Sequence, residues 1–344
     1  MFKDIGLLIM VNWKEKGKWD FYRFLVNQVR KIAILQPHDF KHGRIVRFNR
    51  LSVFLSEFYL PVVALFKQTP YDMVISWSMR MGLTYGILNR IFRRRKTAHI
   101  LYDFHINPTR TDVAYRLRLL TMRLAIPGID FFMATSQEEC RRYSSMYAIP
   151  PSKIRFFPMS PPRHFLNPYP FEKSDYILSY GNSDRDYDTL IKSVENISTR
   201  LIILTQNYKP SGTIPPHVTI ITRRREGIHL IELISSARLV VLPLKDASVS
   251  AGQTAMLETM ALARPLIVTS NPATREYATH GKTAFFYQAG NYSQLKEYIL
   301  FLLEYHDILE QLGKRSHAYM KQLVDERDRV FLDILKTVSD RFMN

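Results

Sequence analysis

Residues 248–270 read SVSAGQTAMLETMALARPLIVTS, a stretch in which a small-residue turn leads into an apolar helical segment and then into a short apolar run. The turn ends at Gly252, and the run at 266–269 has the length of a buried strand. Another apolar run, at 239–243, precedes the turn. A helix between two buried strands is the repeating unit of parallel sheets, so this stretch predicts an α/β domain. One acid, Glu258, interrupts the otherwise apolar helix.

The same alternation of short apolar runs with helical segments continues along the whole chain. It is typical of parallel sheets that are covered by helices. We therefore predict two doubly wound, Rossmann-like α/β domains. The predicted strands lie at 6–11, 73–77, 99–102, 131–134 and 154–157 in the first half, and at 176–180, 201–205, 218–221, 239–243, 266–269 and 284–287 in the second.

A proline-rich break separates the two series of strands. It reads PMSPPRHFLNPYPFEKS at 158–174, and clustered prolines interrupt both helices and strand ladders. We predict a first domain at 1–160, a linker at 161–174, a second domain at 175–325, and a C-terminal helix at 326–344 that packs back on the first domain. Doubly wound domains bind ligands at the carboxyl ends of their strands, so we expect the chemistry in a crevice there, between the domains.

The positive charge of the chain is distributed unevenly. The formal net charge is +17; residues 1–170 contain 27 Lys and Arg against 11 Asp and Glu, whereas 171–344 contain 21 against 20. This asymmetry predicts an anionic partner for the first half, either a membrane surface or a nucleic acid. The run RIFRRRK at 90–96 follows an apolar segment. It fits an amphipathic helix at an anionic bilayer, or equally a solvated helix end.

The sequence does not predict a membrane-spanning helix, a metal centre or a cofactor site. The apolar run at 51–66 contains Glu57 and Pro61 and is too short to span, and the N-terminal apolar run is typical of a buried first strand rather than a signal peptide. A single cysteine, Cys140, excludes an internal disulfide and fits a reducing compartment. P-loop, GxGxxG, HExxH, CxxC and GxSxG patterns are absent, so neither zinc hydrolysis nor serine acyl transfer is predicted.

The helix that follows Gly252 is the best candidate for a binding element. Gly252 and Gln253 open it and leave backbone N–H groups free for a phosphate or a sugar hydroxyl. Glu258 lies one turn after Thr254 on the same helix face. A carboxylate on an apolar helix needs hydrogen-bond donors, which ribose hydroxyls would supply. The alternative is a solvent-facing glutamate on an amphipathic helix, and these residues alone leave both readings open.

Three segments together resemble the retaining GT-B glycosyltransferases of family 4, also called glycosyl transferases group 1. SAGQTAMLETMALARPLIVTSNPATREYATHGKTAFFYQAGN at 250–291 is similar to the family's donor-site region, in order and spacing. YILSYGNSDRDYDTLIKSV at 176–194 resembles its first donor-domain strand and phosphate-facing loop. IDFFMATSQEECRRYSSMYAIPPSKIRFFPMSPP at 129–162 resembles the last strand and helix of its acceptor domain. The resemblance extends over about 71–335.

The resemblance implies a role for each matching residue. It implies that Glu258 binds the ribose and that the residues opening its helix approach the pyrophosphate and sugar. Arg185 would contact the diphosphate, and His105 would lie near the transferred sugar. The remaining implied donor-binding residues are Asn182, Ser183, Ser250, Gly252, Gln253 and Thr254, with the backbone near Thr222 and Arg223 at the base.

The chain departs from the family pattern at three places. Ser250 stands where the family has a second acid, eight positions before the helix glutamate. Asn182 stands where the family has an arginine. The family's glycine-rich N-terminal loop is missing, and the corresponding segment of this chain has a single glycine, Gly17. Serine can hydrogen-bond a sugar hydroxyl but cannot act as a carboxylate toward developing positive charge. The departures leave the identity of the donor sugar undetermined. They are also compatible with a weakened or lost activity.

The sequence therefore predicts a metal-independent glycosyltransferase that moves a sugar from a nucleotide diphosphate to an acceptor with retention. The basic first domain predicts a glycan or lipid-linked acceptor at an anionic membrane, which places the protein in the cytoplasm, peripheral on the inner membrane face. Two alternatives stay open. The departures at Ser250 and Asn182 would suit an inactive GT-B partner subunit. A basic nucleic-acid-binding protein would explain the charge, but aromatic residues do not interleave with the basic ones, so no nucleic acid is expected.

Overall fold

The structure, a computed structural model, describes most of the chain as two compact units. The described residues are 2–13, 20–37, 46–92, 97–104, 112–167, 169, 174–223, 225, 227–245 and 251–343. Unit 1 comprises Met1–Pro158 together with Arg329–Asn344, and unit 2 comprises Met159–Asp328. Among the described residues, none of the helices combines the length and the hydrophobicity that crossing a membrane requires.

Unit 1 is built on a six-stranded sheet in the order β2-β1-β3-β4-β5-β6, and each neighbouring pair is parallel. Short 3-10 helices lie at Ile126–Gly128 and Pro151–Lys153. Its elements in chain order are β1 Phe2–Met10, α1 Asp20–Val26, β2 Val29–Leu35, α2 Val46–Lys67, β3 Met73–Ser76, α3 Met79–Phe92, β4 Ala98–Leu101, α4 Asp112–Ala125, β5 Phe131–Ala134, α5 Gln137–Tyr147 and β6 Ile154–Phe156.

Both faces of this sheet are buried, as expected for parallel strands that helices cover. Leu7 and Ile9 of β1 belong to a core cluster with α1 and with the end of the chain. The alternate residues Leu8 and Met10 belong to a cluster with α2 and α3. In the first cluster the ring of Phe331 packs edge-on against that of Phe21, with centroids 4.8 Å apart.

Unit 2 contains a second six-stranded parallel sheet, in the order β12-β11-β10-β7-β8-β9. A 3-10 helix at Arg163–Leu166 precedes it. Its elements are β7 Tyr176–Tyr180, α6 Tyr187–Val194, β8 Arg200–Leu204, β9 Val218–Ile221, α7 Ile228–Ser236, β10 Leu239–Leu242, α8 Gln253–Ala261, β11 Leu266–Thr269, α9 Pro272–Tyr277, β12 Phe285–Tyr287, α10 Tyr292–Glu304 and α11 His306–Met343, whose residues from Arg329 onward belong to unit 1.

The structure confirms the predicted class, with two doubly wound α/β domains, and shows one strand that the sequence did not predict. That strand is β2, VRKIAIL, at the edge of the first sheet. Arg30 and Lys31 are exposed and most of the other side chains are only half-buried. An edge strand of this kind lacks the continuous apolar run by which central parallel strands are recognised.

The unit boundaries differ from the predicted domain boundaries. The stretch predicted as a linker belongs to unit 2, where Ser160 accepts a hydrogen bond from Arg327 at 2.5 Å and Arg163 forms an ion pair with Asp328. The segment at 326–344 is the end of α11 rather than a separate helix. α11 contains one glycine and no proline, so nothing in its sequence ends the helix between His306 and Met343.

Candidate functional site

Most of the predicted donor-site residues of unit 2 follow the two strands at the centre of its sheet, β7 and β10. From β7 the chain passes to β8 and β9 on one side, and then returns to β10, which pairs with β7 on the other side. This reversal of strand order is a topological switch point. The loops that follow β7 and β10 leave in opposite directions there, and the crevice between them is where open α/β sheets bind ligands.

Backbone hydrogen bonds join these two loops although they are about sixty residues apart in sequence. The N–H of Asp186 donates to the carbonyl of Pro243, and the N–H of Lys245 donates to the carbonyl of Asp184, both at 3.1 Å. Arg185 and Leu244 form an antiparallel bridge between them. The loops therefore form one ordered edge at the carboxyl ends of β7 and β10.

The guanidinium of Arg185 lies at the centre of this edge and is buried. Its Nε donates to the carbonyl of Tyr180 at 3.0 Å, and its Nη1 donates to that of Ser183 at 2.8 Å. A Cβ atom at Gly181 would lie 2.5 Å from Nη2, and one at Gly252 would lie 3.7 Å from Nη1. Burial lowers the pKa of Arg185, but a guanidinium keeps its charge in proteins. A fixed cation therefore lies beside the turn that opens α8.

The first backbone N–H groups of α8, at the same place, have no hydrogen-bond acceptor among the described residues. Gly252 precedes the helix in a left-handed conformation, φ +83°, and no described side chain caps the helix. The N–H of Met256 is the first to donate to Gly252, so the three amides before it have no partner within the helix. The side chain of Gln253 is buried, and its Nε2 has no hydrogen-bond partner among the described residues. This helix end is suited to an anion with several oxygen acceptors.

Glu258 is half-buried rather than solvent-facing. Burial raises the pKa of its carboxyl to about 7, and a hydrogen bond from Tyr180 partly opposes that rise. The Tyr180 hydroxyl lies 3.4 Å from Oε2 of Glu258, and it also donates to the carbonyl of Ala255 at 2.7 Å. Among the described residues no lysine or arginine forms an ion pair with Glu258. The carboxyl therefore still has acceptor capacity for a ligand's hydroxyl groups.

The structure does not place the other predicted donor residues in contact with Arg185 or with the start of α8. Asn182 is exposed, and its Oδ1 accepts hydrogen bonds from the Gln206 N–H at 2.7 Å and the Thr205 hydroxyl at 3.2 Å. Thr254 is exposed at the start of α8. Thr222 and Arg223 are exposed after β9, the edge strand, and form no hydrogen bond with Arg185 or α8. His105 and Ser250 lie outside the described residues, so the structure gives no position for either.

A cavity of about 360 Å³ beside Arg185 shows site residues that the sequence did not predict. Two further cations, Lys209 and Lys245, line it together with two acids, Asp184 and Asp188. Lys245 lies three residues after the end of β10, so its place near the carboxyl end of a strand was a usable signal. Lys209 lies in the long segment between β8 and β9, which gave no such signal.

Unit 1 has its own switch point, between β1 and β3. Asn12 follows β1 and Ser78 follows β3, and both donate to Oε1 of the buried Glu57, at 3.1 and 3.2 Å. Arg80 forms an ion pair with Oε2 of Glu57 at 2.9 Å. This network was not predicted from the sequence. It connects the loops after β1 and β3 to α2.

Three aromatic residues lie in contact at the same edge of unit 1. The rings of Trp77 and Tyr102 are parallel with centroids 3.8 Å apart, and Trp13 meets Trp77 edge-on at 5.0 Å. Each side chain is half-buried. All three lie at or just after the carboxyl end of a strand, which is the signal by which the sequence could have revealed them. Among the described residues, no cluster of His, Cys, Asp and Glu could hold a metal ion.

Replacing Gly252 by alanine is expected to weaken anion binding at α8. The positive φ strains any other residue by about 1–2 kcal/mol, and the added Cβ would lie 3.2 Å from Leu244. Gly290 provides a matched control, because it also has a positive φ, +75°, but open space around it. We expect both variants to melt at lower temperature and only Gly252→Ala to lose the nucleotide-induced rise in melting temperature. Equal rises in the two variants would contradict a binding role.

Comparison with known proteins agrees with this geometry. Residues 177–305, which lie within unit 2, match the family described as glycosyl transferases group 1. Among solved structures, the chain resembles sucrose-phosphate synthase from Thermosynechococcus elongatus, with a TM-score of 0.72, 12% identity, and 98% of this chain and 100% of the other covered. No sequence relative was found among curated proteins.

Two further solved structures have the same fold, with similar TM-scores and sequence identities. HepE from Anabaena, solved in complex with UDP-glucose, gives a TM-score of 0.66 at 11% identity, with 97% of this chain and 100% of the other covered. A UDP-forming α,α-trehalose-phosphate synthase from Burkholderia vietnamiensis gives 0.68 at 10% identity, with 96% and 99% covered. The chain therefore has the two-domain α/β architecture of the GT-B glycosyltransferases.

Proposed function

We propose that this protein is a glycosyltransferase that binds a nucleotide-diphosphate sugar in unit 2 and transfers the sugar to an acceptor held by unit 1. The observation that carries the proposal is the group at the β7–β10 switch point. There the buried Arg185 guanidinium lies against the turn at Gly252, and Glu258 follows on the same helix. A diphosphate beside a ribose presents anionic oxygens and hydroxyl groups in a matching arrangement.

In this proposal the diphosphate binds at the start of α8 and beside Arg185, while the ribose hydroxyls donate to Glu258. The amides and guanidinium stabilise the negative charge that grows on the leaving phosphate as the bond to the sugar carbon breaks. The acceptor oxygen forms the new bond on the same face of the sugar, and its proton passes to the departing phosphate. Configuration is thus retained, no protein nucleophile is used, and no metal or other cofactor takes part.

The structures of HepE with UDP and UDP-glucose support a nucleotide-sugar donor by analogy of fold. For the acceptor we propose a glycan or lipid-linked molecule at the cytosolic face of an anionic membrane. Its support is the charge of the first half of the chain, 27 basic against 11 acidic residues. His105 keeps its proposed place near the transferred sugar, by resemblance alone.

A catalytically inactive partner subunit is the second candidate. It is favoured by Asn182, which stands in place of an arginine and whose side-chain oxygen is already occupied by the N–H of Gln206. A subunit of this kind would bind nucleotide without transferring sugar. Measuring transfer with the wild type and with Glu258→Ala separates the two candidates, because equal absence of transfer in both would support the inactive subunit.

The decisive experiment is a melting-temperature screen with UDP, GDP and ADP and their common sugar conjugates, with and without EDTA. A ligand that binds only the native state raises the melting temperature. At a hundred times its Kd, it increases the free energy of unfolding by about 2.7 kcal/mol. We expect one nucleotide to act in this way, and EDTA to leave its effect unchanged. If no nucleotide raises the melting temperature, the proposed donor site is wrong. If the protein binds a nucleic acid instead, the alternative of a nucleic-acid-binding protein replaces the glycosyltransferase proposal.

A further inference from the structure

Helix α4 of unit 1 is apolar on two opposite sides. One side is buried in the core through Met122 and Ala125. The other side carries four exposed apolar residues at spacings of four, three and four, which places them in one line along a helix. These residues form the α4 stripe, with exposed fractions of 76%, 64%, 55% and 43% for Val113, Leu117, Leu120 and Leu124.

Positive charge accompanies the α4 stripe. Arg116 and Arg123 are exposed and seven residues apart, so they lie on one flank of the stripe. Among the described residues neither forms an ion pair. Helices α2, α3 and α4 together contain eight Lys and Arg but only two acids, and one of those, Glu57, is buried and paired with Arg80.

The apolar surface continues from α4 onto the end of α3. Arg90 donates from Nη1 to the carbonyl of Leu124 at 3.3 Å, so the C-terminal ends of the two helices lie together. The two residues that follow Arg90, Ile91 and Phe92, are exposed by 65% and 56%. An exposed apolar surface of this extent, bordered by cations, is uncommon on a soluble monomer and marks an interaction site.

We propose that α4 binds in the plane of an anionic lipid bilayer, with the α4 stripe in the boundary between headgroups and acyl chains and with Arg116 and Arg123 at the lipid phosphates. An interfacial helix needs an apolar face bordered by Lys or Arg. A dimer formed through the α4 stripe is disfavoured by charge. A two-fold contact there would bring Arg116 and Arg123 of both copies close together. This docking rests on the membrane location of the acceptor in the proposed function and names the surface responsible for it. It concerns unit 1 and does not depend on nucleotide binding.

The test is co-sedimentation with vesicles of phosphatidylcholine, with and without phosphatidylglycerol, at low salt. The wild type is expected to bind only the anionic vesicles. Leu117→Ser combined with Leu120→Ser is expected to weaken binding at least tenfold, and Arg116→Gln combined with Arg123→Gln about thirtyfold, because each cation near the surface contributes about 1 kcal/mol. Leu300→Ser with Ile308→Ser is the control, since both residues are exposed apolar residues of unit 2.

Three outcomes would overturn the proposal. The wild type could fail to bind anionic vesicles, the control could lose as much binding as the Leu117 and Leu120 variant, or the wild type could be a dimer that this variant converts to a monomer. Circular dichroism checks that each variant is folded. The nucleotide-induced melting shift should be the same in all of them, so its absence would count against the proposed donor site and not against the lipid surface.

Discussion

Arg185→Lys is expected to lower the rate of sugar transfer about a hundredfold while leaving the protein folded. Lysine keeps the charge but cannot reproduce the guanidinium fork, which donates to the carbonyls of Tyr180 and Ser183 and lies against the turn at Gly252. Removing one charge-stabilising donor from a preorganised site typically costs a factor of about 10²–10³ in kcat. The measurement is single-turnover transfer with the nucleotide sugar identified in the melting screen.

Arg185→Ala separates the structural role of the side chain from its role in binding. It leaves two carbonyl groups without their charged donor, so we expect the free energy of unfolding to fall by about 2–4 kcal/mol. Arg200→Lys is the control, because Arg200 is exposed at the other end of the strands, at the start of β8. If Arg185→Lys transfers sugar at the wild-type rate, the assignment of Arg185 to the diphosphate is wrong.

Glu258→Gln is expected to stabilise the protein without ligand and to weaken nucleotide binding. The pKa of Glu258 is raised from 4.5 to about 7 by burial, so between these values the folded state holds a proton that the unfolded state has released. Stability therefore falls as the pH rises from 4.5 through 7, and stays lower above 7. The neutral glutamine removes this loss, so the variant should be about 1–3 kcal/mol more stable than the wild type at pH 8.

The same carboxyl makes nucleotide affinity depend on pH. If the ribose hydroxyls require the carboxylate form, the wild-type Kd should fall about tenfold between pH 6 and pH 8, since the group deprotonates near 7. Glu258→Gln should bind more weakly and lose the dependence that comes from the carboxyl. Any pH dependence that remains in this variant comes from the titration of the nucleotide itself. Glu297→Gln, an exposed glutamate of α10, is the control. A Kd in Glu258→Gln that equals the wild-type value across this range would rule out the ribose role.

The fold was largely predictable because its central strands are short apolar runs between helices. The exception, β2, carries Arg30 and Lys31 on the exposed edge of its sheet, where solvent tolerates charge. The course of α11 was also missed, because the apolar spacing alone does not show that a helix continues from one unit into the other.

The candidate site was predicted from motifs rather than from contacts. Arg185 was implied by the resemblance of the loop that follows its strand, and Gly252 by the small-residue turn that opens a helix. The contact of Tyr180 with Glu258 joins residues 78 positions apart. The aromatic contacts of Trp13, Trp77 and Tyr102 bring together three separate loops. Contacts of this kind depend on the order of strands in the sheet, and strand order cannot be predicted from a single sequence.

The order in which the chain is synthesised makes unit 1 dependent on its last residues. Phe331, Ile334, Leu335 and Val338 are fully buried in the core of unit 1, yet the ribosome makes them only after the whole of unit 2. Until then the apolar face of the first sheet that they cover stays open to water, while unit 2 has all of its residues and can fold. In vectorial synthesis the second unit is thus ready first, and the nascent first unit is the part that a chaperone would have to protect.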